Sequence, residues 1–214
     1  MTEALSQILM AVSFLVNVAT VCSLWWAAYH PTTTRPFWRA LAAGWTLSLL
    51  GNVAWVIYDL SSGNSLPPLS WVDGFYIGRY VLIGLALWQY PVAWPGRRGL
   101  VLAAVLWATA LVLWVAYFQP VWTLTEQPVA QLIGVALYPI LDAGLVFCGW
   151  ARHRETEGRV RQTVMLLSLA MTAYGVANLI NFWVRMSSPD GDSLWATAFW
   201  LTCDIMTIVA AVRR

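Results

Sequence analysis

The stretch ALSQILMAVSFLVNVATVCSLWWAAY, residues 4–29, contains no charged side chain. It is longer than the roughly 20 apolar residues that an α-helix needs to cross a bilayer. Of the whole chain, 60% is hydrophobic and 10% is charged, whereas about 25% of a soluble domain is charged. Because the stretch is long and continuous and lacks a period of two, it predicts a membrane-spanning helix and not a strand.

Six further apolar runs follow, and short connections rich in Pro, Gly, Ser and charge separate them, such as SSGNSLPP at 61–68 and SSPDGDS at 187–193. The sequence therefore predicts an all-α protein, an integral membrane seven-helix bundle that forms a single transmembrane domain over residues 1–214. The predicted helices are 4–29, 37–58, 70–92, 98–118, 128–150, 161–184 and 194–212.

Arginine sets the predicted orientation. The chain has no lysine, which excludes a retinal Schiff base despite the seven predicted helices. With seven spans, most arginines share one face: Arg35, Arg39, Arg97, Arg98, Arg152, Arg154, Arg159, Arg161, Arg213 and Arg214. The opposite face has Arg185 together with four acidic residues, Glu3, Glu126, Asp190 and Asp192. The positive-inside rule then predicts a multi-pass protein of the cell membrane with its N-terminus outside and its C-terminus cytoplasmic.

Neither cysteine nor histidine forms a metal-binding pattern. Cys22, Cys148 and Cys203 lack CxxC spacing and are interpreted as small packing residues. His30 and His153 fall in predicted cytoplasmic loops, so we predict no metal site and no cofactor. The formal charge of +2 comes from loop arginines, so we expect membrane lipid and no nucleic acid as a partner.

Three ionisable residues, Arg79, Asp142 and Asp204, lie deep inside predicted spans. A charge at the centre of a spanning helix costs roughly 2.5–3.5 kcal/mol on insertion scales, so such residues are functional candidates. Asp59 and Asp73 lie nearer the predicted external ends of their helices. We therefore predict Asp142 and Asp204 as the first candidate catalytic acids, followed by Asp59 and Asp73.

Aromatic rings recur one helical turn from these polar groups. Pairs at i,i+4 share one helix face, and the chain has four of them: Trp55 with Asp59, Tyr138 with Asp142, Tyr174 with Asn178, and Trp200 with Asp204. Tyr76, Arg79 and Tyr80 lie within one further helical turn. If these faces point inward, the centre of the bundle is an aromatic-walled cavity that contains carboxyl groups and one guanidinium. Such walls stabilise cations.

Two interpretations of the buried charges remain open. In the first, Arg79 pairs with Asp142 or Asp204 and the pair holds the bundle together. However, one guanidinium cannot neutralise two carboxyl groups. In the second interpretation, the other carboxyl stays protonated near neutral pH because its surroundings are apolar. A neutral carboxylic acid in such a pocket is a candidate general acid.

Three stretches resemble the small seven-helix membrane-bound terpene cyclases of fungal meroterpenoid and bacterial indole-terpenoid pathways: GNVAWVIYDL (51–60), LDAGLVF (141–147) and WLTCDIMTIV (200–209). The family is similar to this chain in length and helix count. The resemblance implies metal-independent cyclisation, started by protonation, of a farnesyl-type prenyl chain attached to an aromatic, indole or other acceptor. Asp204 matches the last-helix acid of that family. Val56 replaces the acid that follows the helix-2 Trp, and Asp59 lies on the same face.

The absence of a DDxxD or NSE-type motif agrees with a reaction that does not ionise a diphosphate. The predicted partner is a lipophilic prenylated small molecule. The residues predicted to bind it are Arg79, Tyr76, Tyr80, Trp55, Tyr138, Tyr174, Asn178 and Trp200.

A second resemblance leads to a different class of function. WVDGFYIGRY (71–80) and LYPILDAGL (137–145) resemble helices of membrane sensor modules that precede bacterial diguanylate cyclase domains. That resemblance implies a sensory, ligand-binding or transport module that uses the same aromatic and acidic cavity for a cationic or lipophilic ligand.

The predicted topology can be tested with peptide tags. A tag at the C-terminus or in the loop at 152–161 should be protected from protease added outside intact cells, because we expect both positions in the cytoplasm. A tag before Glu3 should be cleaved. Reversed accessibility would contradict the orientation.

Overall fold

The computed structural model of the protein describes residues 3–30, 34–62, 70–89, 101, 129–154, 156–187 and 193–213. Within these residues the structure is all-helical, with six α-helices and no strand. The helices are α1 (Glu3–Tyr29), α2 (Arg35–Ser62), α3 (Asp73–Gln89), α4 (Val129–Arg154), α5 (Gly158–Ser187) and α6 (Leu194–Arg213).

Six of the predicted spans coincide with these helices, with ends that differ by a few residues, so the all-α prediction is confirmed. The predicted helix at 98–118 lies outside the described residues except for Val101, which is helical. The count of seven helices therefore stays a prediction.

Among the described residues, four helices are long and apolar enough to cross a membrane, over Ile8–Tyr29, Arg35–Tyr58, Val160–Asn181 and Leu194–Arg213. The surface supports the same conclusion, because large apolar side chains such as Leu15 and Leu60 are 67% and 82% exposed. Arg79, Asp142 and Asp204, in contrast, are at most 8% exposed. This inverts the pattern of a soluble protein, in which charged residues are almost never fully buried.

Side-chain caps fix the start of two helices. Before α3, the hydroxyl of Ser70 accepts a hydrogen bond from the Val72 amide at 3.2 Å, and the Asp73 carboxylate accepts one from the Ser70 amide at 2.6 Å. This reciprocal pair is a capping box. At α6, the hydroxyl of Ser193 accepts a bond from the Ala196 amide at 3.2 Å. Both caps satisfy amides that the first helical turn leaves unpaired.

The six described helices pack in a closed order. Each one contacts the next described helix along the chain, and α6 returns to contact α1. The interface between α3 and α4 is the smallest of the six. The inward faces of all six helices therefore surround a common interior.

The end of this interior that contains the last residues of α6 is apolar. Side chains that are at most 1% exposed fill it from five helices, including Leu24 (α1), Leu41 (α2), Ile83 (α3), Leu167 (α5) and Ala210 (α6). Dense packing of this kind gives little room for side-chain movement. The buried carboxyl groups Asp142 and Asp204 lie further from this end, in the middle of their helices.

Glycines bring α4 and α5 close together. A Cβ atom built on Gly149 would lie 2.9 Å from Ser168 Oγ and 3.3 Å from Ser168 Cα. A Cβ on Gly175 would lie 3.3 Å from the Cβ of Asp142. Small residues at helix contacts allow such close approach in membrane proteins. Gly175 therefore lets the Asp142 side chain lie directly against α5.

Gly149→Ala should destabilise the protein, because the added methyl group forces the α4 and α5 backbones apart. Overpacking of this type costs about 1–3 kcal/mol. The matched control is Gly84→Ala in α3, where a Cβ atom would meet nothing within 4 Å and alanine favours the helix by up to about 1 kcal/mol. Thermal unfolding in detergent measures both variants. An unchanged midpoint for Gly149→Ala would contradict the close contact.

Candidate functional site

The three ionisable residues of the predicted spans all face the interior. Arg79 on α3 is 3% exposed, Asp142 on α4 is 5% exposed and Asp204 on α6 is 8% exposed. Each belongs to a connected set of polar and aromatic side chains, which we call the polar layer. The polar layer consists of Asn17, Trp45, Arg79, Tyr80, Asp142, Tyr174, Asn178, Trp200 and Asp204.

Arg79 lies between two aromatic rings. Its Cζ is 3.7 Å from the ring centroid of Tyr174 and 4.7 Å from that of Trp45. Both contacts are within the roughly 6 Å over which a ring attracts a cation, and such contacts are stronger when water is excluded. The aromatic faces therefore supply much of the stabilisation that the buried guanidinium would otherwise receive from water.

Among the described residues, no carboxylate accepts a hydrogen bond from Nε or Nη1 of Arg79. Both nitrogen atoms are buried without any hydrogen-bond partner in that part of the chain. Trp45 provides the link instead, because its ring contacts Arg79 and its Nε1 donates a hydrogen bond to Asp204 Oδ1 at 3.1 Å. The guanidinium and the carboxyl thus interact through an indole.

Asp204 has long hydrogen bonds. Besides the bond from Trp45, its oxygens accept bonds from Asn17 Nδ2, at 3.3 Å for Oδ2 and 3.5 Å for Oδ1. The usual range for N–H···O bonds is about 2.7–3.2 Å. Of the two carboxyl oxygens of Asp204, Oδ2 therefore accepts the weaker hydrogen bond.

Asp142 has short hydrogen bonds to both oxygens. Tyr80 donates its hydroxyl to Oδ1 at 2.6 Å, and Asn178 Nδ2 donates to Oδ2 at 2.8 Å. Asn178 is oriented in turn by Trp200, whose Nε1 donates to Asn178 Oδ1 at 3.2 Å. A bond of 2.6 Å is typical of a hydroxyl that donates to an ionised carboxylate. Asp142 thus joins α3, α4, α5 and α6 through one network.

Two further polar contacts lie nearer the start of α3. The Asp73 carboxylate accepts a hydrogen bond from the Tyr138 hydroxyl in addition to the one from the Ser70 amide. Tyr76 donates its hydroxyl to Asn52 Oδ1 at 2.8 Å. Asp73 therefore caps α3 and ties it to α4, and its catalytic role stays a prediction.

Two of the remaining predicted residues, Trp55 and Asp59, belong to α2. Trp55 is half-buried, and the side chain of Asp59 lies outside what the structure describes. Within the described ranges, no group of three His, Cys, Asp or Glu residues is arranged to hold a metal ion.

Two members of the polar layer, Trp45 and Asn17, were missed by the sequence prediction, which concentrated on aromatic residues four positions before an acid. A search for polar residues at helical spacing could have identified both residues. Ser13, Asn17 and Thr20 follow helical spacing in the first span, and Trp45, Ser48, Asn52 and Trp55 do so in the second. Such a polar stripe on an apolar helix predicts an inward face.

A groove of about 440 Å³ lies elsewhere, between the last turns of α1 and the first turns of α2. Its lining residues include Trp25, Tyr29 and Arg39, and none belongs to the polar layer. The groove does not contain the buried carboxyl groups, so it is a separate feature from the candidate site.

Comparisons with protein-family models, with curated proteins and with solved structures find no match to this chain.

The link through Trp45 predicts the effect of removing its N–H. Trp45→Phe keeps an aromatic face for Arg79 but leaves a buried oxygen of Asp204 without its shortest donor, which costs about 1–3 kcal/mol. Trp25→Phe is the matched control, because Trp25 Nε1 donates at 3.0 Å to the half-buried hydroxyl of Thr46, and such a bond contributes only about 0.5–1.5 kcal/mol. Thermal unfolding in detergent should show the larger loss for Trp45→Phe. Equal losses would argue against the link.

Proposed function

We propose that this protein is a membrane-bound terpene cyclase that acts on a farnesyl-type chain attached to an aromatic, indole or other acceptor. In this proposal the chain forms seven helices in the cell membrane, with the N-terminus outside and the C-terminus cytoplasmic, as the arginine distribution predicts. The resemblance of the stretches around Trp55, Asp142 and Asp204 to small membrane-bound terpene cyclases supports the reaction class.

The observation that carries the proposal is the environment of Arg79. Two aromatic rings, Trp45 and Tyr174, already hold a delocalised cation away from water in the interior. A carbocation formed during cyclisation requires the same kind of surface, because the ring quadrupole stabilises positive charge without reacting with it. Buried carboxyl groups lie in the same layer, so an acid and a cation-stabilising wall occur together.

Asp204 is the proposed general acid. The long hydrogen bond from Asn17 to its Oδ2 leaves room for a proton on that oxygen, and Asp204 matches the last-helix acid of the resembling family. The two short bonds to Asp142, by contrast, stabilise its carboxylate form. Two carboxyl groups in different environments are a common way to divide acid and base roles.

The proposed reaction conserves atoms and electrons. The distal alkene or epoxide of the prenyl chain takes the proton from Asp204 Oδ2, and the resulting cation is attacked by an internal alkene to close a ring. The final cation loses a proton to the Asp142 carboxylate or to water, which forms an alkene. Reprotonation of Asp204 completes the cycle, so the product is an isomer of the substrate and no oxidant or reductant is consumed.

A ligand-binding module is the second candidate function. The network from Trp200 through Asn178 and Asp142 to Tyr80 connects four helices. A ligand that displaced one of these hydrogen bonds would change how the helices pack, as a sensor or transporter requires. This candidate predicts binding without conversion.

Incubation of the purified protein with a 3-farnesylindole in D₂O tests the cyclase proposal. Protonation from an exchangeable acid adds one deuterium to carbon, and the later loss of a substrate proton leaves a cyclic product heavier by about one mass unit. EDTA should leave turnover unchanged, because protonation needs no Mg²⁺ to release a diphosphate. Recovery of unchanged substrate that nevertheless binds would favour the ligand-binding module, and a strict requirement for Mg²⁺ would contradict this mechanism.

The acids can be separated by substitution. Asp204→Asn preserves the shape of the side chain but cannot deliver a carboxylic proton, so turnover should fall by at least about 10²–10⁴-fold while thermal stability stays close to that of the wild type. Asp142→Asn should lower thermal stability as well as turnover, because an amide cannot accept both short bonds with the same strength. Mass spectrometry of the product measures turnover per folded molecule. Full activity in both variants would show that neither carboxyl group is needed for proton transfer, which would contradict the proposed cyclase mechanism.

A further inference from the structure

The guanidinium of Arg79 has hydrogen-bonding capacity that the fold does not use. The side chain is 3% exposed, yet Nε and Nη1 have no acceptor among the described residues. Buried polar groups in proteins almost always have a partner, and an exception requires an explanation. The aromatic contacts with Trp45 and Tyr174 compensate the positive charge, but a ring face is a much weaker acceptor than an oxygen.

The two carboxyl groups of the polar layer are engaged with other donors. Asp142 accepts from Tyr80 and Asn178, and Asp204 accepts from Trp45 and Asn17. Neither carboxyl group supplies a hydrogen bond to Nε or Nη1 of Arg79. Within the described part of the chain, these two donors are therefore left for an acceptor that the described residues do not provide.

The charge of the polar layer limits the chemistry of that acceptor. Arg79 is its single cation, and Asp142 and Asp204 are its two acidic groups. With Asp204 protonated as the proposed acid, the three groups sum to zero, and with both acids ionised the sum is already negative. A carboxylate or phosphate ligand would therefore add a buried negative charge without a counterion, which is strongly unfavourable. A neutral oxygen acceptor avoids this penalty.

We propose that Nε and Nη1 of Arg79 bind a neutral carbonyl oxygen of the ligand, so that a prenylated substrate whose acceptor portion carries a carbonyl binds more tightly than one without it, such as a 3-farnesylindole. Only the identification of this ligand as the substrate rests on the proposed function. The binding site itself depends only on the unused donors, the engaged carboxyl groups and the charge balance. Arg79 thereby fixes the polar end of the molecule.

Three farnesyl compounds with nearly the same shape test the proposal: farnesylacetone, farnesylacetic acid, and the hydrocarbon in which a methylene group replaces the ketone oxygen. A ligand that binds the native state raises its apparent thermal stability, so unfolding midpoints across a concentration series in detergent give relative affinities without turnover. We expect the ketone to bind the wild-type protein about tenfold or more tightly than the hydrocarbon, as a hydrogen bond to a charged donor predicts. The carboxylate should bind more weakly than the ketone.

Substitution of the guanidinium assigns the preference to Arg79. Arg79→Lys keeps the positive charge but removes the planar pair of donors, so the preference for the ketone over the hydrocarbon should fall several-fold. Arg161→Lys, an exposed exchange of the same type on α5, should leave the preference unchanged. If Arg79→Lys does not fold, the wild-type protein still tests the proposal, because equal affinities for the ketone and the hydrocarbon would overturn it.

Each outcome either supports or overturns the proposal. Equal affinities of the wild-type protein for the ketone and the hydrocarbon would overturn it, and tightest binding of farnesylacetic acid would show an anion site instead. A ketone preference that survives Arg79→Lys would place the carbonyl elsewhere. Failure of the proposed function gives a different result. If the protein binds prenylated compounds but does not convert them, the Arg79-dependent preference for the ketone is still observed.

Discussion

Trp45 contacts both the buried guanidinium of Arg79 and the buried carboxyl group of Asp204, and the polar layer is organised around it. The face of its indole ring lies 4.7 Å from the Arg79 guanidinium, while its N–H donates to Asp204 at 3.1 Å. One side chain thereby separates a cation from a carboxyl and stabilises each through a different part of the ring. A direct salt bridge would have consumed the donors of Arg79 and fixed Asp204 as an anion. With the indole as the link, the Arg79 guanidinium and the Asp204 carboxyl group both keep unused hydrogen-bonding capacity.

This arrangement requires a rigid support, because an indole displaced by about an ångström away from Asp204 loses the 3.1 Å hydrogen bond. The apolar end of the interior provides it, since Trp45 is 1% exposed and packs with the buried side chains of the neighbouring helices. Close approach of α4 and α5 at Gly149 and Gly175 brings Asp142 to the other side of the layer. Packing of apolar residues thus determines where the charges lie.

The polar layer contains the elements that an acid-initiated cyclisation needs: an acid with weak hydrogen bonds, a second carboxyl with strong ones, and aromatic faces between them. The same geometry gives the unused donors of Arg79 a role in holding the polar end of a ligand. Both proposals follow from one principle, because a group buried without its usual partners is either an error of packing or a group kept free for a substrate. The surrounding hydrogen bonds, which are largely satisfied, favour the second explanation.

The sequence by itself determined the helices, because a run of about 20 apolar residues without charge has no other stable form in a membrane. It also indicated that Arg79, Asp142 and Asp204 are the important charges, since their burial is costly and needs a reason. Only the tertiary structure decided how they interact. Trp45 and Asp204 are 159 positions apart in the chain, and helical periodicity gives the face of each helix but not the rotation and depth at which two faces meet. The sequence left open whether Arg79 pairs with a carboxylate. In the described residues, Asp142 and Asp204 accept hydrogen bonds from other side chains, and the Trp45 indole contacts both Arg79 and Asp204.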